Sequence, residues 1–303
     1  MKDKISIFML IVLVTLGLFV MGAITSCGDG ETTFDSSGLL TMFIDNAPPS
    51  EINYGISFPI YVEAQNLGGY DIPAGAATFY LTGIGQNLIG VQSKLINTNV
   101  LVKKTETQLG GSEVLTFARE AQAAQQLPQP FNLTMKLTSC YDYASFTQTS
   151  ICVGESGSVC SLEGNKIDSD SNTAAPIQIE ELTEQLVGNK LTVSFKISNL
   201  GTGEVYLLNS DCDKIEQEDI NEQLKRNRVN ILIRTDQGFA CNIQSGEEPY
   251  NSIAGLEGSV QLGYLVSCEK TLATGESTHI SPIEIVLSYK YKESTTKTMT
   301  LLP

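Results

Sequence analysis

Apolar residues fall along this chain in two unlike patterns. From Ile5 to Ser26 they run almost without a break behind Lys2 and Lys4. Beyond that run they come in short alternating stretches punctuated by Gly, Pro, Asn, Asp and Ser, which is how strands with one buried face are written. Thr41–Ile44, Phe58–Ala64, Ala77–Thr82 and Glu113–Phe117 read as strands, and Phe131–Tyr143 with Thr147–Val153 as the two arms of a hairpin. The alternation resumes at Ile177–Leu182, Lys190–Ser198, Glu204–Leu208, Arg228–Arg234, Ser259–Val266, Ile283–Tyr291 and Thr296–Leu302. A helical period has support only at Glu113–Gln126 and Glu216–Lys225.

The first run, wound as a helix, spans about 33 Å, enough for the ~30 Å hydrocarbon core of a bilayer. Its basic flank holds the cytoplasmic side, so all that follows is expected on the extracytoplasmic side, tethered to the membrane. Ile24-Thr25-Ser26-Cys27 has the form of a bacterial lipobox, which makes Cys27 a candidate lipidation site. A transmembrane helix that is retained is the equal alternative. Residues 1–27 are thus a signal or membrane anchor, and 28–39 a tether.

An internal repeat organises the remainder. Ile60-x-Val62-x-Ala64-x-Asn66-Leu67-Gly68 matches Val193-x-Phe195-x-Ile197-x-Asn199-Leu200-Gly201, and Met135-x-Leu137-x-x-x-Tyr141-x-Tyr143 matches Ile283-x-Ile285-x-x-x-Tyr289-x-Tyr291. The second copy carries an insertion, in Ser210–Asn227 or Gln244–Gly258. Between the copies, residues 155–176 are polar and small, a linker by composition. The expected fold is therefore all-β, with two tandem immunoglobulin-like β-sandwiches, 40–154 and 177–303, after an N-terminal membrane-anchor helix. Asn-Leu-Gly is expected to turn each strand through positive φ, and Tyr-x-Tyr to place both rings on one face with their hydroxyls on backbone groups.

These motifs resemble the CARDB type of immunoglobulin-like module. The run from Cys140-Tyr141-x-Tyr143 through Ile151-Cys152-Val153 to Cys160 and Ala175-Pro176-Ile177 is similar to membrane-anchored archaeal envelope proteins carrying two such modules. The resemblance implies an extracellular adhesion-related module and brings no catalytic residue with it.

Composition narrows the chemistry. The 303 residues carry 19 Lys+Arg against 34 Asp+Glu, a formal charge of −15, which repels phosphate backbones and argues against nucleic acid as a partner. One histidine, His279, and no tryptophan leave little for imidazole catalysis or a His-rich metal site. Asp168-x-Asp170-x-Asn172 opens like a calcium loop, but Thr173 and Ile179 stand where an EF-hand needs Gly and Glu. Asp211, Asp213, Glu216, Glu218 and Asp219 read as a solvated acidic loop. No metal, cofactor or catalytic site is expected.

Setting Cys27 aside, six cysteines remain, an even number that implies disulfides in an oxidising compartment. If Phe131–Val153 is a hairpin centred at position 146, Cys140 and Cys152 face each other across it within disulfide reach. Cys241 with Cys268 would close the inserted region, and Cys160 with Cys212 would tie the linker to the second module. Asn132 begins a glycosylation sequon. The reading is a membrane-tethered envelope protein whose two modules serve binding, adhesion or surface structure. The partner would be an unidentified protein or glycan, met through the loops Ser210–Asn227 and Gln244–Gly258. The alternative is an accessory scaffold subunit of an envelope secretion, transport or pilus complex.

Overall fold

A computed structural model describes residues 35–236, 238–243 and 256–303. The expected anchor, the lipobox with Cys27 and most of the Gln244–Gly258 loop lie outside the described residues. Among those described, no helix is long and apolar enough to cross a membrane.

Strands form wherever the alternation is sustained. The first half gives β1 (Leu39–Phe43), β2 (Glu51–Asn53), β3 (Phe58–Asn66), β4 (Ala77–Thr82), β5 (Leu88–Ile89), β6 (Lys94–Ile96), β7 (Ser112–Ala123) and β8 (Phe131–Val153). The second half gives β9 (Ile177–Val187), β10 (Lys190–Asn199), β11 (Glu204–Leu207), two short helices α1 (Cys212–Glu216) and α2 (Ile220–Gln223), then β12 (Arg228–Thr235), β13 (Ala240–Cys241), β14 (Leu256–Gln261), β15 (Leu265–Thr271) and β16 (His279–Leu302). The fold is all-β. β1-β3-β7-β5 and β13-β15-β10-β9 are four-stranded sheets, and β14-β12-β16-β8-β4-β6 is the spine of an eight-stranded one that β11 and β2 join along β16.

One face of each small sheet is buried together with one face of the large sheet. Phe58, Ile60, Val62 and Ala64 from β3, Leu191, Val193, Phe195 and Ile197 from β10, and Leu133, Met135, Leu137, Ile283, Ile285 and Leu287 from the long strands belong to one apolar cluster. Each of these apart from Ala64 contributes roughly 1.5–3 kcal/mol by leaving water, the driving force for stacking the sheets.

β8 and β16 depart most from the sequence reading. Neither is a hairpin. Each runs unbroken, and they pair antiparallel along their whole length, from His279 opposite Val153 to Leu301 opposite Phe131. The reason is local: 144–146 and 292–295 contain no glycine or proline, and the apolar positions on either side, Tyr143 and Ile151, Tyr291 and Met299, keep the same parity. The end of β16 thus lies beside the beginning of β8 and next to β2, so the first sequence half is completed by the last residues of the second. The stretch 155–176 does not divide the fold, since one sheet continues on either side of it. Ser259–Val266, expected as one strand, is split by a turn into β14 and β15, which belong to different sheets.

The repeat becomes an approximate two-fold axis. Tyr141 opposes Tyr291, Tyr143 opposes Tyr289, and the ion pair Asp142–Lys290 lies between them. The repeat carries Tyr141 onto Tyr289, Asp142 onto Lys290 and Tyr143 onto Tyr291, so each strand is the other's image through that pair. The four rings meet edge-on or tilted at 5.7–6.3 Å between centroids, a geometry that aligns ring edges with ring faces.

The turns following β3 and β10 are held differently from expectation. Gly68 and Gly201 are absent from the positive-φ positions. Glycine is needed there for approach: a Cβ on Gly68 would stand 1.8 Å from the Tyr143 hydroxyl, and one on Gly201 2.3 Å from the Tyr291 hydroxyl.

Candidate functional site

The cysteines fix what covers the outer face of the large sheet. Cys140 pairs with Cys212, Cys152 with Cys160, and Cys241 with Cys268. The expected pairing of Cys140 with Cys152 is corrected, and with it that of Cys160 with Cys212. On a continuous strand twelve residues span about 40 Å, far beyond disulfide reach. Cys241 and Cys268 are cross-strand partners between β13 and β15. The Cys140–Cys212 bond fastens α1 over β8, where Tyr80, Cys140, Tyr206 and Ile215 make a second small apolar core.

The Ser210–Asn227 insertion is therefore built rather than open. Asp211 caps α1, accepting from the Asp213 and Lys214 backbone N–H groups at 2.9 and 3.4 Å. Asp213 receives the Tyr80 hydroxyl at 2.8 Å and the Lys94 ammonium at 2.5 Å, so its carboxyl is held below the usual range, first by Lys94 and then by Tyr80. Burial, aided by Asp213, pushes the Tyr80 hydroxyl well up. These acids lock a lid onto the sheet.

Other expected positions are structural. Asp168 accepts from the Asp170 backbone at 3.1 Å and from Ser171 Oγ at 2.7 Å, while Asn172 turns inward to Thr147 and the Ile179 carbonyl. Asp168 closes a turn, and Asn172 is taken up by the interior. Among the described residues, no group of three or more His, Cys, Asp or Glu could hold a metal. His279 starts β16, its Nδ1 2.8 Å from the Ser277 carbonyl. Asn132 is exposed on β8 and accepts from Thr300 Oγ1 at 3.1 Å.

A groove of about 720 Å³ opens where the α1–α2 insertion meets β11 and β16. Thr202, Gly203, Tyr206 and Arg226 form one wall, and Lys136, Lys292, Glu293 and Ser294 the other. Its cations are largely committed: Arg226 lies 2.5 Å from Glu204, and Lys292 3.2 Å from Glu216. The Tyr206 hydroxyl donates to Glu204 at 2.9 Å, and burial followed by that carboxylate pushes it up to about 12.

Glu293 is the outlier. It sits between this groove and a smaller cavity of about 240 Å³ at the two-fold junction, lined by Leu39, Leu67, Tyr141, Leu200 and Tyr291. Its single side-chain partner among the described residues is the Tyr141 hydroxyl, donating at 3.4 Å. Burial raises its carboxyl to about 7. The residue opposite it on β8 is Ser139, whose buried hydroxyl has no partner. A partnerless hydroxyl and a carboxylate held by one long contact thus face each other on the inward side of the sheet. The sequence reading missed Glu293, although a signal existed: in the repeat alignment it stands where the first copy has Ser145.

No family model and no curated protein sequence matches the chain. Among solved structures, a DUF3823 family protein from Bacteroides ovatus ATCC 8483 is similar at 11% identity over 88% of this chain and 98% of its own, with a TM-score of 0.17. The secreted serine protease VesC from Vibrio cholerae gives 10% identity over 86% of this chain and 51% of its own, at TM-score 0.19. A chaperone–tip adhesin complex of CFA/I fimbriae biogenesis gives 9% identity over 91% and 87%, at TM-score 0.10. At these scores none bears on function.

Proposed function

We propose that the chain is a membrane-tethered protein of the extracytoplasmic face. In this reading two immunoglobulin-like halves of CARDB type, joined through the large sheet, act as a binding module, and the groove beside Glu293 is the binding surface. The observation that carries the extracytoplasmic placement is the pairing of all six cysteines beyond the tether, which suits an oxidising compartment and not the cytosol. The apolar run ahead of Cys27 supports the tether.

The test is fractionation of the native cells with thiol alkylation before lysis, then intact mass of the mature chain. The expected result is membrane-bound protein with no alkylatable thiol among the six. Its mass should show either a processed, lipid-bearing Cys27 or a retained leader. Recovery from the cytosol with six reactive thiols would overturn the placement.

A further inference from the structure

The two copies of the repeat serve as controls for one another. Asn66 donates to the Tyr70 carbonyl at 2.7 Å and Asn199 to the Gly203 carbonyl at 2.9 Å, so Tyr70 and Gly203 are equivalent positions. In the first copy the Tyr70 ring packs against Tyr143 and Phe146, at 5.6 and 6.2 Å. In the second copy, glycine and Ser294 replace those two rings, and both line the groove. Ser145 is fully bonded, to the Ile177 carbonyl and to the Tyr289 hydroxyl at 3.0 Å. Among the described residues its counterpart Glu293 has only the long contact to Tyr141.

The strand edges differ in the same way. Beyond β4, the edge of β8 is closed in cis: Asn172 bridges Thr147, the Gln148 N–H donates to the Ser171 carbonyl at 2.8 Å, and the Thr173 N–H to the Phe146 carbonyl at 2.9 Å. The equivalent edge of β16 runs from Ser294 to Thr298, between the end of β11 opposite Lys292 and β2 opposite Thr300. No described segment pairs with it. Ser294, Thr296 and Thr298 are exposed.

We infer that an extended peptide bearing a lysine adds to this open β16 edge, as residues 171–173 add to β8, and places its ammonium against Glu293. This rests on the binding reading above and not on the membrane placement. Main-chain bonds from Ser294 and Thr296 supply the docking, and the groove supplies side-chain choice. A carboxylate lacking a cation, beside the Tyr141 and Tyr291 rings, is a site for an ammonium. Arg226 and Lys292 hold their own carboxylates, Lys136 stands at the exposed rim, and Glu218 adds a further acid. A net charge of −15 draws a basic segment in.

The test is calorimetric titration of the purified extracytoplasmic chain, residues 28–303, with the blocked peptide Thr-Val-Lys-Val-Thr, the same peptide with norleucine for lysine, and 1,5-diaminopentane. The lysine peptide should saturate, and norleucine should weaken it at least ten-fold. Affinity should rise about ten-fold from pH 6 to pH 8 as Glu293 ionises around 7. Glu293→Gln should abolish the lysine preference and the pH dependence. Thr296→Pro should remove binding while thermal unfolding stays close to the parent, since proline is tolerated where a strand N–H faces solvent. Equal binding of both peptides, or full binding by Glu293→Gln, would overturn the ammonium site. Equal binding of the diamine, or full binding by Thr296→Pro, would overturn the edge. Binding seen only after residues 28–34 are removed would assign the edge to this chain's own tether. Failure of every probe to bind would overturn the inference while leaving the fractionation result untouched.

Discussion

Glu293 gives the molecule a pH dependence whose sign and size follow from burial. Leaving water raises its carboxyl from 4.5 to about 7, so the folded chain keeps this proton in a range where the unfolded chain has lost it. A raised acid contributes stability that is complete below about 4.5 and is lost as pH climbs through about 7. At 1.36 kcal/mol per unit, the loss between pH 5 and pH 8 is roughly 2–3 kcal/mol. Glu293→Gln keeps the shape and the contact with Tyr141 but cannot ionise. Urea unfolding of both proteins at pH 5, 6, 7 and 8 should therefore give curves that diverge, the variant gaining on the parent by roughly 2–3 kcal/mol across the series. Since every other titrating group is common to both, the difference isolates this carboxyl. Parallel curves, within about 0.5 kcal/mol at all four values, would refute the claim that Glu293 ionises at a cost inside the fold.

Three further outcomes follow from the packing. Residues 35–176 expressed alone should remain unfolded by circular dichroism and NMR dispersion, and co-expression with 177–303 should restore structure, because β16 completes the sheet begun by β8. Serine at both Cys140 and Cys212 should cost about 4 kcal/mol on chain-entropy grounds for a bridge of separation 72. Thermal unfolding of that variant should also reveal an early transition in the α1–α2 insertion. Gly201→Ala should destabilise by roughly 1–3 kcal/mol in urea, and adding Tyr291→Phe should recover part of it, since the hydroxyl is the nearest atom to the new methyl.

Much of the fold was legible because alternation reports burial directly. Phe58–Ala64 and Lys190–Ser198 announce β3 and β10, and the apolar positions of each are those the core takes up. The repeat was legible too, down to the Asn-Leu-Gly turns. What could not be read was partnership. Hydrophobic period says which face a residue occupies but not which strand lies beside it, so Ala144-Ser145-Phe146 passed for a turn although it carries no turn-forming residue. The disulfide error followed from that one: Cys140 and Cys152 oppose each other only if the strand doubles back. β2, β5, β6 and β13, at two or three residues, are too short for any period to register.

The candidate site was illegible for a different reason, and the repeat explains it. A motif search rewards what two copies share, here the tyrosines and glycines of the axis, which are bound to one another and free to do little else. Tyr141, Tyr143, Tyr289 and Tyr291 each touch rings contributed by both halves, so no one of them can change alone. The copies part at three positions around the groove: Tyr70 against Gly203, Phe146 against Ser294, Ser145 against Glu293. In the first copy these fill and satisfy the interior beside an edge closed by residues 171–173. In the second they leave, among the described residues, a groove, a carboxylate without a cation and an open edge in the same place. Three coincident differences in one copy of a duplicated fold, each costing stability that the other copy keeps, are what the proposed binding at this groove accounts for.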